Sequence, residues 1–186
     1  MTDAQYLTGR LLLALPGMPD PRFEDAVLAL CVHNADGAMG VGVGHELEGI
    51  SLHMLLKDLE IDPGVAPDIA IHFGGPVEPQ RGFVIHTPDY ASSGTIMPSP
   101  HWSVTATREI LTDIAHGRGP AQWLVALGYA GWGAGQLDGE MRQHGWFAAE
   151  SHPGVLFDTV VDDRWHAVWA AEGIDPAHLV GQTGRA

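Results

Sequence analysis

The feature that most constrains this chain is a run near its middle, Ala126-Leu127-Gly128-Tyr129-Ala130-Gly131-Trp132-Gly133-Ala134-Gly135-Gln136. An apolar, strand-like stretch from Gln122 to Leu127 enters it, and a helical pattern leaves it near Gly135. Gly128, Gly131, Gly133 and Gly135 permit positive φ and let other groups approach the backbone closely. The segment reads as a glycine-dense turn that carries two large aromatics, Tyr129 and Trp132. Such a turn either packs those rings or offers N–H groups to an anion where the helix starts. Packing is preferred, because Asp138 and Glu140 would repel an anion at that helix start.

Around this segment the chain reads as irregularly mixed strands and helices. Leu11 to Leu15 and Ala26 to Val32 are short apolar runs bounded by turn residues, and both predict buried strands. The Asn34-Ala35-Asp36-Gly37 turn folds Ala38 to Val43 back as a hairpin partner. Ser51 predicts an N-cap, with Leu52, Leu55, Leu56 and Leu59 at helical spacing behind it. Ile69 to Phe73 and Gly82 to Thr87 read as strands joined through Gly74-Gly75-Pro76, and His101 to Ala106 as a weaker strand. Thr107 is expected to cap a short helix bearing Ile110, Leu111 and Ile114. Thr159 is expected to open a capping box for a last helix, whose Trp165, Val168 and Trp169 form one buried stripe. No linker or repeat interrupts this order, so residues 1–186 read as one domain. The irregular mixing favours α+β over a doubly wound α/β fold.

Charge and cysteine usage exclude several functions. The chain carries 23 acids against 9 bases, a net charge of −14, which opposes association with a phosphate backbone. Direct nucleic-acid binding is therefore disfavoured, unless Arg22, Arg81, Arg108 and Arg164 gather into one surface. A single cysteine, Cys31, allows no internal disulfide and fits a reducing cytoplasm. No apolar run reaches the roughly 20 residues of a spanning helix. The run Leu11 to Leu15 is too short for the apolar core of an export signal. No membrane association is expected.

Complete catalytic motifs are absent. There is no phosphate-binding loop ending in Gly-Lys-Ser/Thr, and no serine lies in a G-x-S-x-G elbow. His45-Glu46-Leu47-Glu48-Gly49 begins like a zinc-protease helix, but Gly49 stands where the second histidine belongs. The eleven histidines show no ligand spacing, so no metal or cofactor is expected. The 131–139 segment resembles a dinucleotide turn, yet Asp138 occupies the place of the third glycine. Cys31 and His33 alternate onto one strand face, where a nucleophile–base couple or a small buried hydrophobe are the two readings, the second preferred. The candidate ligand-binding residues are His33, Asn34, Arg81, His86, Gly131, Gly133, Gly135 and Gln136.

Taken together, the chain resembles the AlgH/YqgE family of bacterial proteins. The resemblance rests on Leu13-Ala14-Leu15-Pro16, Asp20-Pro21-Arg22-Phe23, Cys31-Val32-His33-Asn34 and Gly37-Ala38-Met39-Gly40. It continues through Gly74-Gly75-Pro76-Val77, Arg81 to His86, Leu127 to Trp132, Gly135-Gln136-Leu137, Trp146, Phe157-Asp158 and Arg164-Trp165. Where the family continues with asparagine, a basic residue and proline, this chain has Gly44-His45-Glu46. The resemblance implies a compact α+β domain with a strongly bent, mixed or antiparallel sheet and flanking helices. It also implies a regulatory label linked to transcription, and no agreed catalytic set. The expectation is a regulatory or binding module acting through a protein partner or a small anionic ligand. The alternative is a small-molecule enzyme in which His33, His86 and Arg81 converge with an acid such as Glu140.

Overall fold

The computed structural model describes residues 5–143 and 145–182. Its first strand, β1 (Leu11–Ala14), is apolar throughout and wholly buried. β2 (Val27–Asn34) and β3 (Gly37–Gly42) form the hairpin expected from the intervening turn, and β4 (Glu46–Ser51) follows. The Ser51 hydroxyl accepts the Met54 N–H (3.4 Å) and opens α1 (Leu52–Asp58). Next come β5 (Ala70–Phe73), β6 (Val77–His86), β7 (Thr95–Ser99), β8 (Trp102–Thr105) and α2 (Arg108–Ala115). The chain then forms β9 (Trp123–Gly133), α3 (Gln136–Arg142), β10 (Trp146–Ala149), α4 (Pro153–Phe157) and α5 (Val161–Ala171).

The strands make one curled, mainly antiparallel sheet in the order β10-β1-β2-β3-β9-β6-β8-β7, with helices at its flanks. β5 joins β9 in parallel and carries β4 on its other side. One core lies where Trp165, Val168 and Trp169 of α5 meet β1, β2 and β6, as the helical stripe predicts. The Trp165 indole also donates to the Ala14 carbonyl (2.9 Å). A second core packs α1 and α2 on β5, β6 and β9. A third gathers Leu12, Leu28, Trp132, Leu137 and Trp146.

β9 departs from the sequence expectation. The glycine-dense segment is not a turn but the second half of a continuous eleven-residue strand, and the turn is confined to Ala134 and Gly135. Through Leu127 the strand lies between β6 and β5, and from Ala130 it pairs with β3 instead. The exchange of partners occurs at Gly128, whose φ is +79°. Backbones crowd there: a Cβ on Gly74 would lie 2.0 Å from the Gly128 carbonyl oxygen. One on Gly42 would lie 2.2 Å from that of Phe73. The Gly74 N–H reaches the Leu127 carbonyl (2.8 Å), and the Gly42 N–H reaches that of Gly74 (2.7 Å). Glycine here removes side chains so that three strands can meet, a use that local turn propensity does not reveal.

Two caps also differ. Thr107 precedes α2, but its hydroxyl makes no capping bond. α5 starts after Val160, and Thr159 contributes its carbonyl to Arg164 rather than a cap (3.0 Å). Strands β4, β7 and β10 and helix α4 have no counterpart in the sequence reading.

Candidate functional site

The end of β9 and the start of α3 build a cleft lined by aromatic rings. Gly135, at φ +69°, turns the chain so that Gln136 and Glu140 lie one helical turn apart on a single face. The Gln136 Oε1 accepts the Gly133 N–H (3.0 Å), while its Nε2 donates to Glu140 Oε1 (3.0 Å). Glu140 Oε2 accepts two indole N–H groups, from Trp132 on β9 and Trp146 on β10, each at 2.9 Å. The two indoles meet edge to face at 6.0 Å, and Phe23 meets Trp146 the same way at 5.5 Å. The result is a carboxylate fixed by three donors beside aromatic surfaces.

This cleft encloses about 480 Å³ and is lined by Arg22, Phe23, Val77, Trp132, Glu140 and Trp146 among others. That volume suits a small ligand or a protruding side chain. Arg22 lies 5.7 Å from the Phe23 ring centre and pairs with Asp20 (2.7 Å). Hydrogen bonds from Arg22 hold the Asp20 carboxyl below its ordinary range.

The residues expected to bind a ligand divide between this cleft and other places. Gly131 and Gln136 line it, and Gly133 and Gly135 shape its helix start. Asn34 is the exposed last residue of β2, with its side chain accepting the Asp36 N–H (2.9 Å). His33 is buried; its Nδ1 accepts the Leu7 N–H (3.1 Å) and its Nε2 faces Asp138 on α3 (3.5 Å). It thus ties the chain before β1 to α3 and makes no couple with Cys31. The Cys31 thiol donates to the Ala29 carbonyl (3.5 Å), and burial pushes it up to about 12. His86 is fully buried between the Thr87 carbonyl and the Thr105 hydroxyl, each at 2.8 Å, and burial lowers its pKa. Arg81 is exposed, pairs with Glu78 (3.4 Å) and lies over Phe83. His33, His86 and Arg81 therefore do not converge on Glu140.

Sequence reasoning missed Phe23 and the paired indoles as site formers. Trp132 stands out in its glycine-rich segment, Trp146 enters only through the family resemblance, and Gln136 with Glu140 has helical i, i+4 spacing, but only the sheet brings them together. Nor does Arg164 join Arg22, Arg81 and Arg108 in the surface that nucleic-acid binding would need. Arg164 is 5% exposed and reaches the Val43 carbonyl, His72 Nε2 (3.1 Å) and the Thr159 carbonyl. Among the described residues no three His, Cys, Asp or Glu side chains gather as metal ligands would. No helix among them is long and apolar enough to cross a membrane.

Sheet and cleft together define the class: a single α+β domain on a curled antiparallel sheet with flanking helices. The AlgH-like family model matches residues 11–177. A UPF0301 protein from Novosphingobium aromaticivorans is 58% identical over 186 residues, covering 100% of both chains. One from Rhizorhabdus wittichii is 53% identical over 180 residues, covering 97% of each chain. The solution structure of the AlgH protein from Pseudomonas aeruginosa superposes with a TM-score of 0.76 at 34% identity. That match covers 100% of this chain and 99% of the other. A Corynebacterium diphtheriae crystal structure shares the fold at TM-score 0.73 and 18% identity, covering 92% and 90% of the two chains. The chain belongs to the AlgH-like family.

Proposed function

We propose that this protein is a binding module whose working surface is the cleft at Trp132, Glu140 and Trp146. The observation that carries this reading is the Glu140 carboxylate, held by two indoles and the Gln136 amide on an aromatic wall. A carboxylate oriented before any ligand arrives favours binding, because little ordering remains to be done. Aromatic faces beside it attract a cation. The occupant that fits has an apolar or flat body and an amine or guanidinium head. It is either a free small molecule or a side chain offered by a protein partner.

The anionic ligand considered from sequence finds little support here, since Gln136 takes the Gly133 N–H and Asp20 and Glu140 line the same cleft. A regulatory role, including a transcription-linked one, would operate through the cleft's occupant. Direct nucleic-acid contact is disfavoured by the charge of −14, by acid partners on Arg22 and Arg81, and by the burial of Arg164. The enzymatic alternative is weakened because His33, His86 and Arg81 are engaged with different partners. A cytoplasmic setting remains in keeping with the single buried thiol.

The test is a thermal-shift and calorimetric screen with putrescine, agmatine, tryptamine and choline, each beside a neutral isostere. At least one cation is expected to stabilise the wild type and to bind Glu140→Gln roughly tenfold more weakly, a loss of about 1.4 kcal/mol. Absence of saturable binding by every cation, or equal binding to the variant, would overturn the proposal.

A further inference from the structure

A second cleft of about 470 Å³ opens between β5 and the junction of α4 with α5, away from Glu140. Arg164 and His72 line it together with Glu46, Asp158, Thr159 and Asp162. Both basic side chains are nearly enclosed, at 5% and 6% exposure. Burying a guanidinium is costly unless its charge is matched and its donors are used. Neither condition is met among the described residues. Of the five N–H groups a guanidinium carries, three reach Val43, His72 and Thr159. The Nε–H is buried with no partner among the described residues. Among the described residues no acidic side chain forms an ion pair with Arg164; Glu46 acts on it only through space. Burial lowers Arg164 to about 10, so it is still a cation at neutral pH.

The Nε–H lies on the same edge of the guanidinium as Nη2, the edge that grips a carboxylate through parallel bonds. Three acids also line the cleft, which disfavours a doubly charged phosphate and favours a ligand with a positive group of its own. We infer that this second cleft binds a small zwitterion of the free amino acid class, with its carboxylate on Arg164 and its ammonium group toward Glu46 and Asp162. The acids would then select against simple carboxylates and Arg164 against simple amines. This site is independent of the Glu140 cleft, so either can fail without the other.

The experiment is a two-dimensional NMR titration of the full chain with free L-amino acids. Each is accompanied by its amine and its carboxylic acid counterpart; for leucine these are isopentylamine and isocaproic acid. At least one amino acid is expected to shift the Arg164 Nε–H and Thr159 amide signals saturably. Both counterparts should bind at least roughly tenfold more weakly. Asp162→Asn, a change at an exposed position, should fold normally and lose roughly tenfold in affinity. Arg164→Lys, if it folds, should lose more. The inference is overturned if no amino acid moves those signals. It is equally overturned if a carboxylic acid binds as well as its zwitterion, or if Asp162→Asn binds unchanged.

Discussion

Glu140 serves the fold and the cleft at once, and two substitutions separate those roles. Glu140→Ala leaves the indole N–H groups of Trp132 and Trp146 without their acceptor, although both side chains are largely buried. Each lost partner costs about 1 kcal/mol where water can still reach the cleft, so urea unfolding should show a loss of about 2 kcal/mol. Glu140→Gln keeps a carbonyl oxygen for the indoles and should cost less than about 1 kcal/mol while removing the charge. Equal losses in the two variants would mean that the indole bonds contribute nothing. His72 gives a second prediction. Burial, reinforced by Arg164 beside it, lowers its pKa from 6.5 to about 4. The folded-state value lies below the unfolded one, so the unfolded chain binds the extra proton first as pH falls. The stability that His72 contributes is therefore complete above about pH 6.5 and lost progressively down to about pH 4. Protonation of surface acids relieves self-repulsion over part of the same window and acts in the opposite sense. The difference between wild type and His72→Gln isolates the histidine. The variant's stability should fall less over this interval, by on the order of 3 kcal/mol. Parallel pH profiles for the two proteins would refute the assignment.

At the scale of elements, β9 organises the molecule because it exchanges neighbours at Gly128. The glycines packed beside it and after it differ in what they permit, and substitution should expose the difference. Gly74→Ala would place a methyl group 2.0 Å from a backbone oxygen that cannot swing away. Its expected cost is about 3 kcal/mol or more, seen as a lowered denaturation midpoint or insoluble expression. Gly139→Ala on α3 meets nothing within 4 Å and should stabilise by about 0.5–1 kcal/mol through helix propensity. If both substitutions were neutral, the crowding of backbones at the strand crossing would not hold. The same contrast explains what the sequence revealed. β1, β2 and the β2–β3 turn were legible because apolar runs stand between strong turn signals. The α5 stripe was legible because three large side chains repeat at helical spacing. β4 escaped because it is a largely exposed strand holding Glu46, Glu48 and Gly49, with no apolar alternation. β7 escaped because Met97 and Pro98 read as loop and Met97 is exposed. In the site, Gly131 and Gln136 were found through the unusual composition of their segment. Phe23 and the role of Trp146 were not, since they reach the cleft through the pairing of β10 with β1 and β1 with β2. That contact is remote in sequence and leaves no local signature.

The molecule as a whole carries its excess negative charge on its surface, and among the described residues the exposed Arg22, Arg81 and Arg118 each face an acid. Screening should therefore stabilise it: raising sodium chloride from about 20 mM to 500 mM shortens the Debye length several-fold and should raise the melting temperature by a few degrees. An unchanged or lowered melting temperature would show that self-repulsion is not significant. Duplex DNA should bind more weakly than the ~10⁻⁴–10⁻⁶ M typical of non-specific binding proteins, which fluorescence anisotropy can measure. These global properties frame the cleft without deciding its occupant. The chain contains six tryptophans, so their indole N–H signals form a small and readable set in a two-dimensional NMR spectrum. The most direct measurement follows that set while the cation panel is titrated in. The account predicts that the Trp132 and Trp146 indole signals move together and saturate with one Kd, while those of the fully buried Trp102 and Trp169 stay fixed. Stationary Trp132 and Trp146 signals, with saturable shifts mapping to another surface, would contradict it.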